Sequence, residues 1–196
     1  VQVLALGDPD AGFFRPVAAP VRIVHGPSGS QSLEDKVAES IRLLADALAD
    51  VDTPLLHAQD CISARAAARV RDAGAPVTVI RTVHHVDDFT SQILMYCQRA
   101  AILEPDIVLV VSEMWRQILR NDYGIAAGVV PNGVDISRFS AATPARAAQL
   151  RSFVGADHRP LLLAVGGIEP RKGSDTLVRA LAAMRRQYGV RPVLAV

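Results

Sequence analysis

With 196 residues, the chain has room for one ordinary domain or one and a fraction. Its 50% hydrophobic content and mean hydropathy of +0.23 suffice for a packed core and argue against disorder. A formal charge of +1 and a pI near 8.0 give no global basic field, so nucleic acid is not an expected partner. The longest apolar runs, Ile107–Val111 and Leu161–Val165, fall far short of the ~20 residues a membrane span requires, and no signal peptide is recognisable.

In chain order, Val1–Leu6 reads as a strand ended by Gly7-Asp8-Pro9-Asp10. The chain begins inside this pattern without a methionine, which predicts coding sequence upstream. A Gly/Pro-rich loop surrounds the short run Val21–Val24. Ser32 with Asp35 makes a capping start, and Leu33, Val37, Ile41, Leu44 and Leu48 then lie on one helical face. Leu55-Leu56-His57 is a short strand, followed by an Ala/Arg-rich helix from Cys61 to Asp72 that Gly74 stops. Val77–Ile80 is the clearest strand by β-branching. A helix over 90–103, a strand over 107–111, a helix over 113–121 capped by Ser112 and ended by Gly124, and a strand at Val129-Val130 complete the pattern. Alternating short apolar strands and amphipathic helices predict an α/β fold with a parallel sheet covered on both faces. Cys61 and Cys97 read as reduced packing residues of a cytoplasmic protein, and Trp115 and the methionines as packing. Asn132-Gly133 is expected to make a tight turn with positive φ.

Residues 141–159 read as a connector with a short helix, after a first domain over 1–140. A βαβ unit then starts at residue 160: strand Leu161–Val165, helix Ser174–Tyr188, and a last strand from Val193 that stops at the end of the chain. About forty residues cannot bury a core unaided, so this second domain is expected to be truncated.

The segment joining that strand and helix has the chemistry of a phosphate seat. Gly166 and Gly167 let the backbone approach, Gly173 and Ser174 open a helix whose first N–H groups are free, and Arg171 and Lys172 add positive charge. Nineteen of the 21 basic residues are arginine, so a lysine here is a selective choice: a compact ammonium suits a point contact to phosphate. The spacing fits neither the dinucleotide-binding nor the phosphate-binding-loop glycine motif, and on residues alone an ordinary strand-to-helix turn explains it equally.

The segment VPNGVDISRF at Val130–Phe139, followed by LAVGGIEPRKGSDTLVRAL at Leu163–Leu181, resembles the retaining, nucleotide-sugar-dependent GT-B glycosyltransferases of family 4. LLHAQD at Leu55–Asp60, TVHH at Thr82–His85 and PDIVLVVSE at Pro105–Glu113 match upstream in the same order. The resemblance implies a Rossmann-like N-terminal acceptor domain lacking its first strand, plus the first βαβ unit of a Rossmann-like donor domain. It implies a nucleotide-sugar donor, an acceptor that is a small molecule, glycan or lipid, and no cofactor or metal. It also implies a cytoplasmic enzyme, peripheral at the membrane where the acceptor is a lipid.

Carried over by residue, the resemblance makes Lys172 the grip on the donor diphosphate above Gly166, with Ser174 at the helix start. His84 would contact the donor sugar near its reacting carbon, and His57, Asp60 and His85 would line the acceptor side. Gly167 stands where the family has arginine, and Arg171 is a candidate to replace that charge. The family's glycine-rich first loop and its donor-binding glutamate pair would lie outside residues 1–196, so this stretch alone is expected to be inactive. Two other readings stay open: a catalytically silent GT-B homologue, which Gly167 makes conceivable, and a metal-dependent hydrolase using His57, Asp60, His84, His85 and Asp87.

Overall fold

A computed structural model describes residues 1–13, 16–168 and 172–196. The chain divides into two compact units, Val1–Gly133 and Val134–Val196.

The first unit alternates strand and helix. Strands β1 (Val3–Gly7) and β2 (Val21–His25) form a parallel pair. Strands β3 (Leu55–Ala58), β4 (Thr78–Val83), β5 (Ile107–Val110) and β6 (Gly128–Val129) form a parallel sheet in chain order. The expected sheet is thus two sheets: among the described residues, β1 pairs only with β2 and β3 only with β4. What joins them is packing. Leu4, Leu6 and Val24 rest against the core cluster containing Leu56 and Val79.

Helix α1 (Leu33–Ala49) begins where the sequence indicates, with Ser32 Oγ accepting from the Asp35 N–H at 3.1 Å. Its buried face is Val37, Ile41, Leu44, Ala47 and Leu48. Leu33, expected on that face, is 50% exposed, because the first turn projects beyond the core. Helix α2 (Cys61–Asp72) carries a reciprocal cap between Asp60 and Ser63. Its Ala64, Ala66, Ala67 and Ala68 are all at most 2% exposed, so small side chains let the helix sit close to its neighbours. Helix α3 (Gln92–Leu103) starts later than periodicity suggests and buries Cys97, Ala100, Ala101 and Ile102.

Asp106, just before β5, joins three elements. Its carboxylate accepts from the Val79 N–H at 2.7 Å and from Arg71 Nη1, near the end of α2, at 2.9 Å. Its own N–H donates to the Val79 carbonyl at 2.9 Å. Arg71 also donates to the Glu104 carbonyl, and Arg65 forms an ion pair with Glu104.

A second cluster lies under β5 and β6: Val83, Ile102, Val108, Val110, Leu119 and Ala127, with Trp115 packed against it. The expected 113–121 helix is α4 (Glu113–Ile118) followed by a π turn over Leu119–Tyr123. The wider turn ends at Gly124, in left-handed conformation with φ 71°, and Leu119 within it is fully buried. Trp115 packs as expected, whereas Met95 and Met114 are more than half exposed. Neither Asn132 nor Gly133 has positive φ, so the expected tight turn is not there. Asp135 instead caps a single 3-10 turn, Ile136–Arg138.

The second unit contains α5 (Pro144–Phe153), β7 (Leu161–Leu163), α6 (Ser174–Tyr188) and β8 (Val193–Ala195), with β7 and β8 parallel. Thr143 caps α5 and Pro144 occupies its first turn. Both strands are shorter than the apolar runs that announce them. Of the described residues here, only Ala156 is a buried hydrophobic residue.

Two substitutions test this packing. Ala66→Leu should destabilise the first unit by about 1–3 kcal/mol through overpacking, read as a lower denaturation midpoint. Asp106→Ala should cost about 1–3 kcal/mol by leaving the Val79 N–H without its carboxylate acceptor, and Asp106→Asn less, because an amide oxygen can still accept.

Candidate functional site

In the first unit the candidate residues gather at the carboxyl ends of β3 and β4, where parallel sheets place their ligands. The two strands run in register, with His57 opposite Ile80 and Ala58 opposite Arg81. His57 Nε2 lies 2.8 Å from Thr82 Oγ1, and His84 Nε2 lies 2.8 Å from Gln59 Oε1. With the carboxamide oxygen facing the ring, His84 donates through Nε2–H and keeps Nδ1 as a free acceptor. Burial, then the nearby Arg81 charge and the neighbouring His85 and His57, hold His84 below the ordinary histidine pKa of 6.5.

The remaining first-unit candidates have other partners. The Asp60 carboxylate accepts from the Ser63 N–H at 2.7 Å, which makes it the cap of α2. His85 is exposed and sits 3.1 Å from Asp87. The residues a metal-dependent hydrolase would require are therefore divided among separate contacts, and no group of three or more metal-capable side chains is gathered among the described residues.

Sequence reasoning missed Gln59, which orients His84, and Arg81 on β4. Arg81 is 7% exposed, and its Nε and Nη1 are buried without a hydrogen-bond partner. The available signal was a lone charge inside the apolar run Val77–Val83.

In the second unit, Gly166 has φ 145°, a conformation that glycine favours. A Cβ there would lie 3.9 Å from both Cδ and Cε of Lys172, so the lysine stem passes over the glycine. Gly167 is exposed in the same turn. Gly173, with φ 68°, precedes α6 and provides no side-chain cap, which leaves Ser174 first in the helix. Glycine, ammonium and uncapped helix start are thus brought together, as an anion seat requires. Arg171 lies outside the described residues.

Sucrose-phosphate synthase from Thermosynechococcus elongatus has a similar fold, with a TM-score of 0.71 at 20% identity over 98% of this chain and 51% of that one. UDP-GlcNAc 2-epimerase from Methanocaldococcus jannaschii gives a TM-score of 0.53 at 10% identity, over 100% and 65% of the two chains. The fold class is that of the GT-B glycosyltransferases, α/β with Rossmann-like parallel sheets in the first unit and one βαβ unit in the second.

The profile of Glycosyltransferase Family 4 matches residues 1–138, and the chain belongs to that family. Among curated proteins, the GDP-mannose-dependent alpha-(1-6)-phosphatidylinositol monomannoside mannosyltransferase of Mycolicibacterium smegmatis is 36% identical over 86 residues, 43% of this chain and 22% of that protein. The protein of the same description from Mycobacterium tuberculosis is 39% identical over 84 residues, 42% of this chain and 22% of its own. The chain thus matches 22% of the length of these curated relatives. No helix among the described residues is long and apolar enough to cross a membrane.

Histidine NMR tests the electrostatics. His84 should titrate below 6.5. As pH falls through 6.5, the unfolded chain takes up this proton before the folded one does, so stability should decline below that pH. His84→Asn should flatten that part of the melting-temperature profile.

Proposed function

We propose that the protein is a glycosyltransferase that moves a sugar from a nucleotide-diphosphate donor to an acceptor hydroxyl with retention of configuration. The observation that carries this reading is the Lys172 stem lying over Gly166 beside the uncapped start of α6, in a member of Glycosyltransferase Family 4. Charge accumulates on the departing diphosphate as the sugar–phosphate bond breaks. The Lys172 ammonium and the helix N–H groups at Ser174 stabilise that charge. Gly166 and Gly167 let the phosphate approach the backbone. The leaving phosphate can itself receive the acceptor proton, so the reaction requires neither a dedicated base nor a metal.

His84 contributes a neutral imidazole oriented by Gln59, whose free Nδ1 can accept a hydrogen bond from a sugar hydroxyl. His57, Asp60 and His85 serve the acceptor side, Asp60 by fixing the start of α2. GDP-mannose is the first donor to test, since the mycobacterial relatives are described as dependent on it. The phosphatidylinositol monomannoside named in their description supports an enzyme acting peripherally at a membrane.

In the full-length protein, Lys172→Ala should lower kcat/KM for the donor about a hundredfold, and His84→Ala by roughly tenfold or more. Undiminished turnover in Lys172→Ala would overturn the seat. Arg171→Ala should weaken diphosphate binding if that residue replaces the arginine that Gly167 displaces, and wild-type affinity would remove it from the site. Activity should survive exhaustive chelation with EDTA. Gly167 also favours a second reading, a silent nucleotide-binding homologue; turnover of any member of a nucleotide-sugar panel would eliminate it.

A further inference from the structure

The two cysteines lie far apart in sequence yet meet in the first unit. Cys61 is the first residue of α2, directly after the Asp60 cap, and is partly exposed. Cys97, in the middle of α3, is 1% exposed. Cys61 packs against the core cluster to which Cys97 belongs, and each thiol is the group that most strongly shifts the other. Both belong to the cluster that fixes α2 against α3, so the contact is set by helix packing and not by a flexible loop.

An arrangement of this kind could simply fill space. The buried guanidinium of Arg81 distinguishes it. Arg81 carries two N–H-bearing nitrogens, Nε and Nη1, with no acceptor, in a place where an unpaired charge is costly. Asp60 and both cysteines are the groups whose charge Arg81 feels, and Asp60 is already engaged by Ser63. A thiolate at Cys61 would add a second negative charge to that of Asp60, at a helix N-terminus that also favours it.

We propose that Cys61 and Cys97 are an oxidisable dithiol, a modification site at which a hydroperoxide closes an α2–α3 disulfide. The Cys61 thiolate attacks the peroxide O–O bond and gains one oxygen with its hydrogen as sulfenic acid, while the other oxygen leaves as hydroxide or alkoxide and takes up, as water or alcohol, the proton that Cys61 released on ionising. The Cys97 sulfur then attacks the Cys61 sulfur, the S–S bond forms, and the hydroxyl departs as water with the Cys97 proton. The two thiols are oxidised by two electrons and the peroxide is reduced by two. The division of roles follows from position. The neighbouring Cys97 side chain, helped by Arg81 and opposed by burial and Asp60, brings Cys61 down to about 7. The neighbouring Cys61 side chain, burial and the charge of Cys61 push Cys97 upward, so it keeps its proton until it resolves the intermediate. Because Cys61 follows Gln59 and Asp60 directly, closure would pull on Gln59, which orients His84, and on the Asp60 cap.

The test treats the full-length protein with equimolar hydrogen peroxide and maps its peptides without reduction. Expected results are a Cys61–Cys97 linkage reversed by dithiothreitol, formed at least about tenfold faster in buffer than in denaturing urea, where proximity is lost. In Cys97→Ser, which retains the nucleophile and removes the resolving thiol, dimedone should label Cys61 at least about tenfold more than in wild type. Equal linkage rates in buffer and urea, both thiols surviving peroxide, or dimedone labelling unchanged in Cys97→Ser would each overturn the proposal.

Discussion

The close seating of α2 is the constraint on which the first unit depends. Ala64, Ala66, Ala67 and Ala68 leave almost no surface exposed, so α1, α3 and strands β3 and β4 approach this helix at the spacing that small side chains permit. Everything of chemical interest nearby takes its place from that seating. The start of α2 sets Asp60 and, just ahead of it, Gln59, which holds His84. It also sets Cys61 against Cys97. A larger side chain on that face would displace the strand end and the thiol pair together. The far end of the same helix is tied down by Arg71 to Asp106 and the Glu104 carbonyl, so its tilt is fixed at both ends.

Much of this architecture was legible from local chemistry. Ser32, Ser112 and Gly124 mark helix limits because caps and left-handed stops are properties of single residues. The periodicity of α1 identified its core face, except at Leu33, where the helix outruns the core. Periodicity could not show that the end of α4 opens into a π turn, since this depends on how Leu119 reaches the cluster below. Asn132-Gly133 misled for a related reason. The pair permits positive φ but does not require it, and the chain there stays free of it.

The site divides along the same line. Gly166, Lys172 and Ser174 are near neighbours in sequence, so their meeting is a local event that residue order could reveal. His84 with Gln59, and Arg81 with Cys61 and Cys97, come together only through strand pairing and helix packing. Their separation along the chain hides such pairs from any reading by spacing. The lone charge within β4 was the one visible clue, because an apolar strand accommodates a guanidinium only for a reason found elsewhere in the fold.

The lysine over Gly166 has one more consequence. It shares this arginine-rich chain with a single other lysine, Lys36 on α1, and both are exposed. Within residues 1–196 there are therefore two lysine amino groups, one in each unit. An amine-selective reagent would mark this stretch at two side chains, of which protection at one reports occupancy of the seat and the other serves as an internal standard. Lysine acylation would fall on the same atom and neutralise the seat's ammonium while leaving the nineteen arginines untouched.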